Sequence, residues 1–209
     1  MNRESNKPVP QLTGNWAIFG GAFDPIHRGH TTLALDILTT KQLTGVLFVP
    51  SFKPLLKLST CKASFEDRIA MVRLAIEPYH AFKLSTIESE MGQPGYTLNT
   101  VRALKRMYPQ VQFHFLIGAD LLSEIGDWHQ PEEILSEVPL IVGSRPTDKN
   151  GADRKPYGSD RIEYVETSLV DVSSSMIRDR IKVGIPLEEL NGFVADDVAL
   201  YIIRGKLYQ

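Results

Sequence analysis

The sequence predicts an α/β protein with a mainly parallel β-sheet, helices on both faces and a helical carboxyl-terminal segment. Three observations lead to this prediction. Short apolar runs alternate with stretches of helical periodicity, which is typical of parallel sheets. Glycine or proline follows three of those runs, as expected where a buried strand ends in a tight loop. Hydrophobic residues form 43% of the 209 residues, enough for a sizeable core.

The elements of the amino-terminal half follow from apolar spacing. A short continuous apolar run indicates a buried strand, whereas apolar residues that recur every three or four positions indicate one face of a helix. In chain order, these patterns predict a strand over 16–19 that ends at Gly20-Gly21, a helix over 31–40 with Leu33, Ile37 and Leu38 on one face, a strand over 46–49 that ends at Pro50, and a helix marked by Phe65, Ile69, Val72 and Ile76.

The carboxyl-terminal half continues the alternation. A helix over 98–106 precedes a strand over 113–117, which ends at Gly118, and further strands are predicted over 140–142 and 162–165. The last predicted element is the helical segment from Ser173 to Tyr208, in which an apolar stripe comprises Val194, Val198, Tyr201 and Ile202.

Two segments lie outside this alternation. Residues 1–13 are polar and contain two prolines, so we expect a flexible tail there and a single domain over 14–209. The stretch 145–160 is rich in glycine, proline, lysine and aspartate, and is predicted as a surface loop rather than an interdomain linker.

Composition and charge exclude several classes of function. The formal net charge is −2, so no overall basic field indicates a nucleic acid partner. The single cysteine, Cys61, excludes an intramolecular disulfide and a cysteine-based zinc site, and no catalytic signature surrounds it. The sequence shows neither a signal peptide nor a run of about 18 apolar residues, so it gives no indication of a membrane partner. We therefore expect a cytoplasmic protein with small-molecule ligands, and homo-oligomer formation stays open.

The segment from Gly20 to His30, GGAFDPIHRGH, carries the strongest indication of a binding site. Gly20 and Gly21 let a ligand approach the backbone where the first strand ends. His27 lies just before the next helix and His30 in its first turn, so both imidazoles can face the same side. The free N–H groups and the positive end of the helix dipole favour anions. The segment therefore predicts a binding site for a triphosphate.

Other interpretations of this segment stay open on the residues alone. A Gly-Gly pair after a strand is often only a turn, and Asp24-Pro25 often only precedes a helix. The two histidines could supply half of a metal site, but no third ligand of suitable spacing is evident, so no protein-bound metal is predicted. The glycine fingerprints of dinucleotide-binding and P-loop proteins are absent.

Four segments, in order along residues 16–208, carry a family resemblance. The first, GGAFDPIHRGH, resembles the motif G-G-x-F-D-P-x-H-x-G-H. The others are Tyr96–Thr100, similar to Y-T-x-D-T; Phe115–Leu121 with Trp128-His129, similar to L-I-G-A-D followed by W; and Val172–Arg178, similar to S-S-T-x-I-R. These are motifs of the nicotinate-nucleotide adenylyltransferases of the HxGH nucleotidyltransferase superfamily. The resemblance implies a Rossmann-like single nucleotidyltransferase domain that transfers an adenylyl group from ATP, with its Mg²⁺, to nicotinate mononucleotide.

For ATP, the resemblance implies that two helix starts grip the triphosphate and that His27, His30 and Arg178 are catalytic. Alternatives stay open: at least one serine of 173–175 only caps its helix, Asp120 could do the same, and Arg178 could be a plain surface residue. The implied ATP-binding residues are Gly20, Gly21, Phe23, His27, His30, Gly118, Asp120, Ser174, Ser175 and Arg178.

For the mononucleotide, the resemblance implies contacts from Lys57, Tyr96, Thr97 and Trp128. Trp128 would stack on the pyridine ring, or alternatively anchor the core. Tyr96 and Thr97 would donate to the nicotinate carboxylate, although Thr97 could equally be the N-cap of a helix that begins near Leu98.

The sequence departs from the family pattern at a few positions. In the segment PSFKPLLK, Leu55-Leu56 stands where the family often has Pro-His, which makes Lys53 a competitor of Lys57 for a phosphate. Ala22 replaces a usual threonine and Asn99 a usual aspartate. Rival functions are the same transfer to nicotinamide mononucleotide or phosphopantetheine, a non-catalytic nucleotide sensor, and a dinucleotide-dependent oxidoreductase.

Overall fold

The structure is a computed structural model that describes residues 11–52, 61–91, 95–144, 159–168 and 170–209. Over these ranges, six parallel strands form one sheet in the order β3-β2-β1-β4-β5-β6. The predicted α/β architecture and mainly parallel sheet are confirmed. The strands are β1 (Gly14–Gly21), β2 (Gly45–Pro50), β3 (Phe82–Leu84), β4 (Val111–Gly118), β5 (Leu140–Ser144) and β6 (Ile162–Glu166).

Helices connect these strands and complete the described chain. Their limits fit local chemistry; for example, Ser64 caps α2 by accepting a hydrogen bond from the Asp67 amide at 3.0 Å. The helices are α1 (Arg28–Thr40), α2 (Phe65–Ile76), α3 (Ile87–Glu90), α4 (Thr97–Met107), α5 (Ala119–Leu122), α6 (Pro131–Glu137), α7 (Ser174–Lys182), α8 (Leu187–Leu190) and α9 (Asp196–Arg204), with two short 3-10 helices, Ile125–Asp127 and Ser159–Arg161.

Two hydrophobic clusters cover the two faces of the sheet. Successive residues of β1 point to opposite faces, so Ala17 and Phe19 join one cluster, whereas Trp16 and Ile18 join the other. Helices α1, α2, α7 and α9 pack on the first face, and α4 and α6 pack on the second. This arrangement confirms that helices lie on both faces, and it fixes where the loops between strands and helices emerge.

The carboxyl-terminal segment is helical as predicted, but it consists of three helices. Gly184, with a φ of +82°, follows α7, and Pro186 precedes α8. The sequence pattern also missed β3, because a three-residue strand is too short to show a period.

The folded part of the chain begins before the boundary predicted at residue 13. Leu12 is 2% exposed and belongs to a core cluster, and its carbonyl oxygen accepts a hydrogen bond from Nε2 of Gln110 at 2.9 Å. Of the predicted surface loop over 145–160, residues 145–158 lie outside the described ranges. Within the described ranges, no helix combines the length and apolar character needed to span a membrane.

Candidate active site

The candidate site lies where the strand order reverses. β1 pairs with β2 on one side and with β4 on the other, and the helices that follow β1 and β4 lie on opposite faces, which opens a crevice at the carboxyl ends of the strands. The amide of Ser51 donates to the carbonyl oxygen of Gly21 at 2.9 Å and so holds the loop after β2 against the end of β1. Gly118 ends β4 at the same edge.

Phe23 is a buried residue of the loop between β1 and α1. Its side chain is 2% exposed, and its φ of +49° is uncommon for a bulky residue. Its ring lies edge-on to His30, with centroids 5.1 Å apart, and packs against Phe19 at 5.6 Å. The Phe23 side chain therefore supports His30 from the core, and its predicted contact with ATP stays a prediction.

His27 and His30 stack on each other at the start of α1. Their ring centroids are 3.7 Å apart and the ring planes differ by 28°. The backbone N–H of His27, the N-cap residue, donates to Nδ1 of His30 at 3.2 Å. Because Nδ1 of neutral His30 accepts this bond, its ring proton lies on Nε2, which can donate to a ligand oxygen.

Gly29 permits this packing. A Cβ atom at Gly29 would lie 3.0 Å from Nδ1 of His27 and 3.1 Å from Cγ1 of Val172, next to the start of α7. A larger residue would push the histidine pair away from that segment, which gives a physical reason for glycine between the two histidines.

Both imidazoles are neutral at neutral pH. Burial lowers the pKa of His27 from 6.5 to about 4. Burial and the neighbouring His27 lower the pKa of His30 well below 6.5. Nδ1 of His27 is buried without a hydrogen-bond partner among the described residues. An anion bound here would favour protonation of the rings, so the pair is prepared to neutralise charge that arrives with a ligand.

The burial of His27 makes stability depend on pH. Because its pKa is lower in the folded than in the unfolded chain, the unfolded chain takes up the proton first, and stability is lost as pH falls below 6.5. We expect the free energy of unfolding to fall by roughly 2 kcal/mol from His27 between pH 7.5 and pH 5. Denaturant unfolding of the wild type and of His27→Gln measures this. The variant should show the smaller decrease; equal pH dependence would contradict the prediction.

Arg178 of α7 is fixed against the loop that follows β1. Its Nη1 donates to the carbonyl oxygen of Asp24 at 2.7 Å, and its Nη2 donates to Oγ of Ser175 at 3.0 Å. The guanidinium also lies 3.9 Å from the Asp24 carboxylate, and only 16% of the Arg178 side chain is exposed. The alternative that Arg178 is a plain surface residue is therefore wrong.

The three serines at the start of α7 have different partners. Ser173 caps the helix by accepting a hydrogen bond from the Met176 amide at 3.2 Å, which confirms that one serine serves as a cap. Ser174 donates from Oγ to the carbonyl oxygen of Pro25 at 2.9 Å. Ser175 accepts the bond from Arg178. The two helix starts predicted to grip the triphosphate are thus joined through the loop over residues 22–27.

Asp120 lies over the end of β4. Gly118 is the N-cap of α5, so the alternative that Asp120 caps this helix is wrong. A Cβ atom at Gly118 would lie 2.5 Å from Oδ1 of Asp120, which shows that the carboxylate occupies the space beside the glycine. Asp120 is thereby held at the carboxyl edge of the sheet, next to the strand-order reversal.

Tyr96 and Trp128 lie on the second face of the sheet. The Trp128 ring is perpendicular to Phe115 of β4, with centroids 5.8 Å apart, and its Nε1 is buried without a hydrogen-bond partner in the described part of the chain. The Tyr96 ring lies 4.3 Å from that of His129. The structure thus brings together the Tyr96 and Trp128 segments, and it adds His129, to which the sequence assigned no role.

The start of α4 depends on a buried glutamate that sequence reasoning missed. Tyr96 is the N-cap and the helix begins at Thr97, so the alternative that Thr97 is the N-cap is wrong. Glu88, 5% exposed, accepts hydrogen bonds from the Phe52 amide at 3.0 Å and from the Thr100 hydroxyl at 2.9 Å. Burial raises the pKa of Glu88. Glu88 thereby links the loop after β2 to α4, and only its burial distinguishes it from other acidic residues.

Arg68 is a second residue that no motif indicated. It is 2% exposed, and its Nη1 donates to the carbonyl oxygen of Ala22 at 2.7 Å. Its guanidinium lies over the Phe65 ring, 5.4 Å from the centroid. Arg68 therefore fixes the loop after β1 from the α2 side, and in the sequence it is only one polar residue within a helical pattern.

The structure does not describe every predicted position. Outside the described residues lie Lys57, its competitor Lys53 and the pair Leu55-Leu56. Burial raises the pKa of the Cys61 thiol, which disfavours the thiolate and so agrees with the absence of a catalytic signature around this residue.

Comparisons with known proteins agree with this geometry. Residues 18–180 match the model of the cytidylyltransferase-like family. A protein of Bacillus licheniformis named probable nicotinate-nucleotide adenylyltransferase is 35% identical over 92% of this chain and 97% of its own. A protein of Carboxydothermus hydrogenoformans with the same name is 36% identical over 92% of this chain and 96% of its own.

A solved structure shares the fold. The Plasmodium falciparum nicotinic acid mononucleotide adenylyltransferase complexed with NaAD superposes with a TM-score of 0.77 at 21% identity, over 93% of this chain and 97% of that chain. The family match spans both helix starts of the candidate site, from β1 to Arg180. The chain belongs to the cytidylyltransferase-like family and, within it, to the nicotinate-nucleotide adenylyltransferases.

Proposed function

We propose that this chain transfers an adenylyl group from ATP to nicotinate mononucleotide, giving nicotinate adenine dinucleotide and pyrophosphate in NAD biosynthesis. The observation that carries the proposal is the stacked His27–His30 pair at the start of α1, joined through the loop over 22–27 to Arg178 at the start of α7. Family membership supports the choice of substrates. The proposal includes a cytoplasmic location and one nucleotidyltransferase domain, which contains Leu12 in its core in addition to the predicted range 14–209.

The proposed reaction is an in-line displacement at phosphorus. A phosphate oxygen of the mononucleotide forms a bond to the α-phosphorus of ATP, and the bond from that phosphorus to the oxygen bridging to the β-phosphate breaks. Pyrophosphate leaves with the electron pair. A phosphate monoester is already ionised near neutral pH, so the protein needs no strong base. Catalysis then depends on positioning and on neutralising the charge of the leaving group.

The residues of the site divide between the two substrates in this proposal. His27 and His30 donate to oxygens of the α- and β-phosphates, and Arg178 neutralises charge on the leaving group. Gly20, Gly21, Phe23, Ser174 and Ser175 complete the triphosphate site, Gly118 and Asp120 bind the ribose of ATP, and Lys57, Tyr96, Thr97 and Trp128 bind the mononucleotide.

Mg²⁺ enters the proposal as a companion of ATP. Within the described ranges, no three His, Cys, Asp or Glu side chains come together in a way that could hold a metal ion. The Asp24 carboxylate is already occupied by hydrogen bonds from the protein. The described residues thus fit an ion that arrives with ATP, because Mg²⁺ usually keeps several water and phosphate ligands.

Trp128 should govern affinity for the acceptor. We expect Trp128→Ala to raise KM for nicotinate mononucleotide by a factor of about 10 to 100, because stacking of a base on an aromatic ring contributes about 1–3 kcal/mol. KM for ATP should change little, and Trp128→Phe, which keeps a flat ring, should recover most of the affinity. Steady-state kinetics with each substrate varied in turn measures both constants. An effect confined to ATP would show that the assignment is wrong.

One assay tests the proposed function. Purified protein is incubated with Mg-ATP and, separately, with nicotinate mononucleotide, nicotinamide mononucleotide, phosphopantetheine or no acceptor, and pyrophosphate release is followed. Fastest release with nicotinate mononucleotide supports the proposal. Faster release with another acceptor would replace the substrate, and no release with any acceptor would leave a nucleotide-binding sensor.

A further inference from the structure

Asp24 is a buried carboxylate with partners from three separate parts of the chain. It lies in the loop between β1 and α1 and is 3% exposed. Its Oδ2 accepts a hydrogen bond from the Lys62 amide at 2.8 Å, and its Oδ1 accepts one from the Ala63 amide at 3.1 Å. The Arg178 guanidinium lies 3.9 Å from Oδ2. Such a set of donors compensates for the burial of the charge and holds the carboxylate in one position.

The remaining partner comes from Tyr208, which follows α9. Its hydroxyl donates to Oδ1 of Asp24 at 2.8 Å, and its ring is buried, with 8% of the residue exposed. Burial and the Asp24 charge raise the pKa of Tyr208, so the hydroxyl stays protonated and able to donate. A buried tyrosine outside the recognised motifs thus contacts the side chain at the centre of the first one.

This contact is placed to affect the reacting groups. The carbonyl oxygen of Asp24 accepts the hydrogen bond from Nη1 of Arg178 at 2.7 Å, and the adjacent Pro25 accepts from Ser174 at 2.9 Å. His27 lies two residues after Pro25 and caps α1. A shift of Asp24 would therefore move Arg178 and the histidine pair relative to each other, and errors of about 1 Å in such groups cost about 10²-fold in rate.

We propose that Tyr208 is a positioning residue for adenylyl transfer, which acts through Asp24 on Arg178 and on the start of α1. The inference rests on the proposed function. It assigns to Tyr208 a role in the rate of the reaction beyond its contribution to the core.

Tyr201 supplies a matched control for the test. Its hydroxyl donates to Oδ1 of Asp67 at 2.9 Å, a tyrosine–aspartate bond of nearly the same length that joins α9 to α2 and does not involve the loop over 22–27. We expect Tyr208→Phe to lower kcat about tenfold, as for the loss of a hydrogen bond to a charged group, with KM for nicotinate mononucleotide unchanged. Tyr201→Phe should keep the wild-type kcat. Melting temperatures identify an assay temperature at which every variant is folded.

The outcomes separate the inference from the proposed function. A wild type without adenylyl transfer overturns the proposed function; an active wild type with equal kcat in Tyr208→Phe and Tyr201→Phe overturns the inference. Asp24→Asn tests the same bond from the acceptor side, and it serves alone if Tyr208→Phe does not fold. When Asp24 is already replaced by asparagine, the further change Tyr208→Phe should reduce kcat much less than it does in the wild type. Fully additive losses would show that Tyr208 does not act through Asp24.

Discussion

Replacement of His30 by alanine, and separately of His27, is expected to lower kcat by a factor on the order of 10²–10³, the usual cost of removing one donor from a site that stabilises developing charge. Each imidazole has a structural reason to matter. The His27 amide fixes the tautomer of His30, and the stacked rings, 3.7 Å apart, hold each other in place. Because both are neutral without ligand, neither is held in an ion pair within the protein, and an anionic nucleotide that binds beside them favours their protonation.

His80 provides the control for this prediction. It is an exposed histidine in the turn before β3, at the opposite edge of the sheet from the site. His80→Ala should keep wild-type kcat and KM in the pyrophosphate-release assay. Circular dichroism and melting temperature establish that the variants of His27 and His30 are folded. Near-normal turnover in both would contradict the mechanism.

The sequence predicted most of the strands and helices because the patterns that indicate them are local. A buried strand such as β2 is a continuous apolar run, and α1 and α2 show their apolar faces through spacing alone. The strand order was not predictable in the same way, since pairing joins residues far apart in the chain. Short elements such as β3 and α3 were not predicted because three or four residues do not establish a period.

The same difference between local and distant signals separates the site residues that the sequence predicted from those that it did not. His27, His30 and Ser174 were accessible because they belong to contiguous motifs, and a contiguous motif keeps its spacing in any fold. Glu88 and Arg68 were not, because their significance comes from burial and from partners 30 or more residues away, such as Phe52 and Ala22. Tyr208 is the extreme case, since its partner Asp24 lies at the other end of the chain. Tertiary contacts of single residues leave no local pattern.

Arg178→Ala is expected to lower kcat by about 10²-fold and to destabilise the protein, because Arg178 serves two purposes. Its guanidinium holds the Asp24 carbonyl and the Ser175 hydroxyl, and its remaining N–H groups can donate to phosphate oxygens. Removing it leaves the buried Asp24 with one cation fewer, for which we expect a loss of about 1–3 kcal/mol in the free energy of unfolding. Arg178→Lys should retain part of the charge effect but not the forked contact. Its kcat should therefore lie between that of the wild type and that of Arg178→Ala.

Arg180, two residues further along α7, separates the catalytic from the helical contribution. Its side chain pairs with Glu189 and its guanidinium lies 5.0 Å from the Phe193 ring centroid, on a side of the helix away from Asp24. Arg180→Ala removes the same charge from the same helix, so it should alter stability slightly and leave kcat unchanged. If the two alanine variants lost activity equally, the general positive charge of α7, rather than the placement of Arg178 against Asp24, would account for its effect. A loss of activity in Arg178→Ala alone would show that the reaction rate depends on the contacts by which Arg178 joins the starts of α1 and α7.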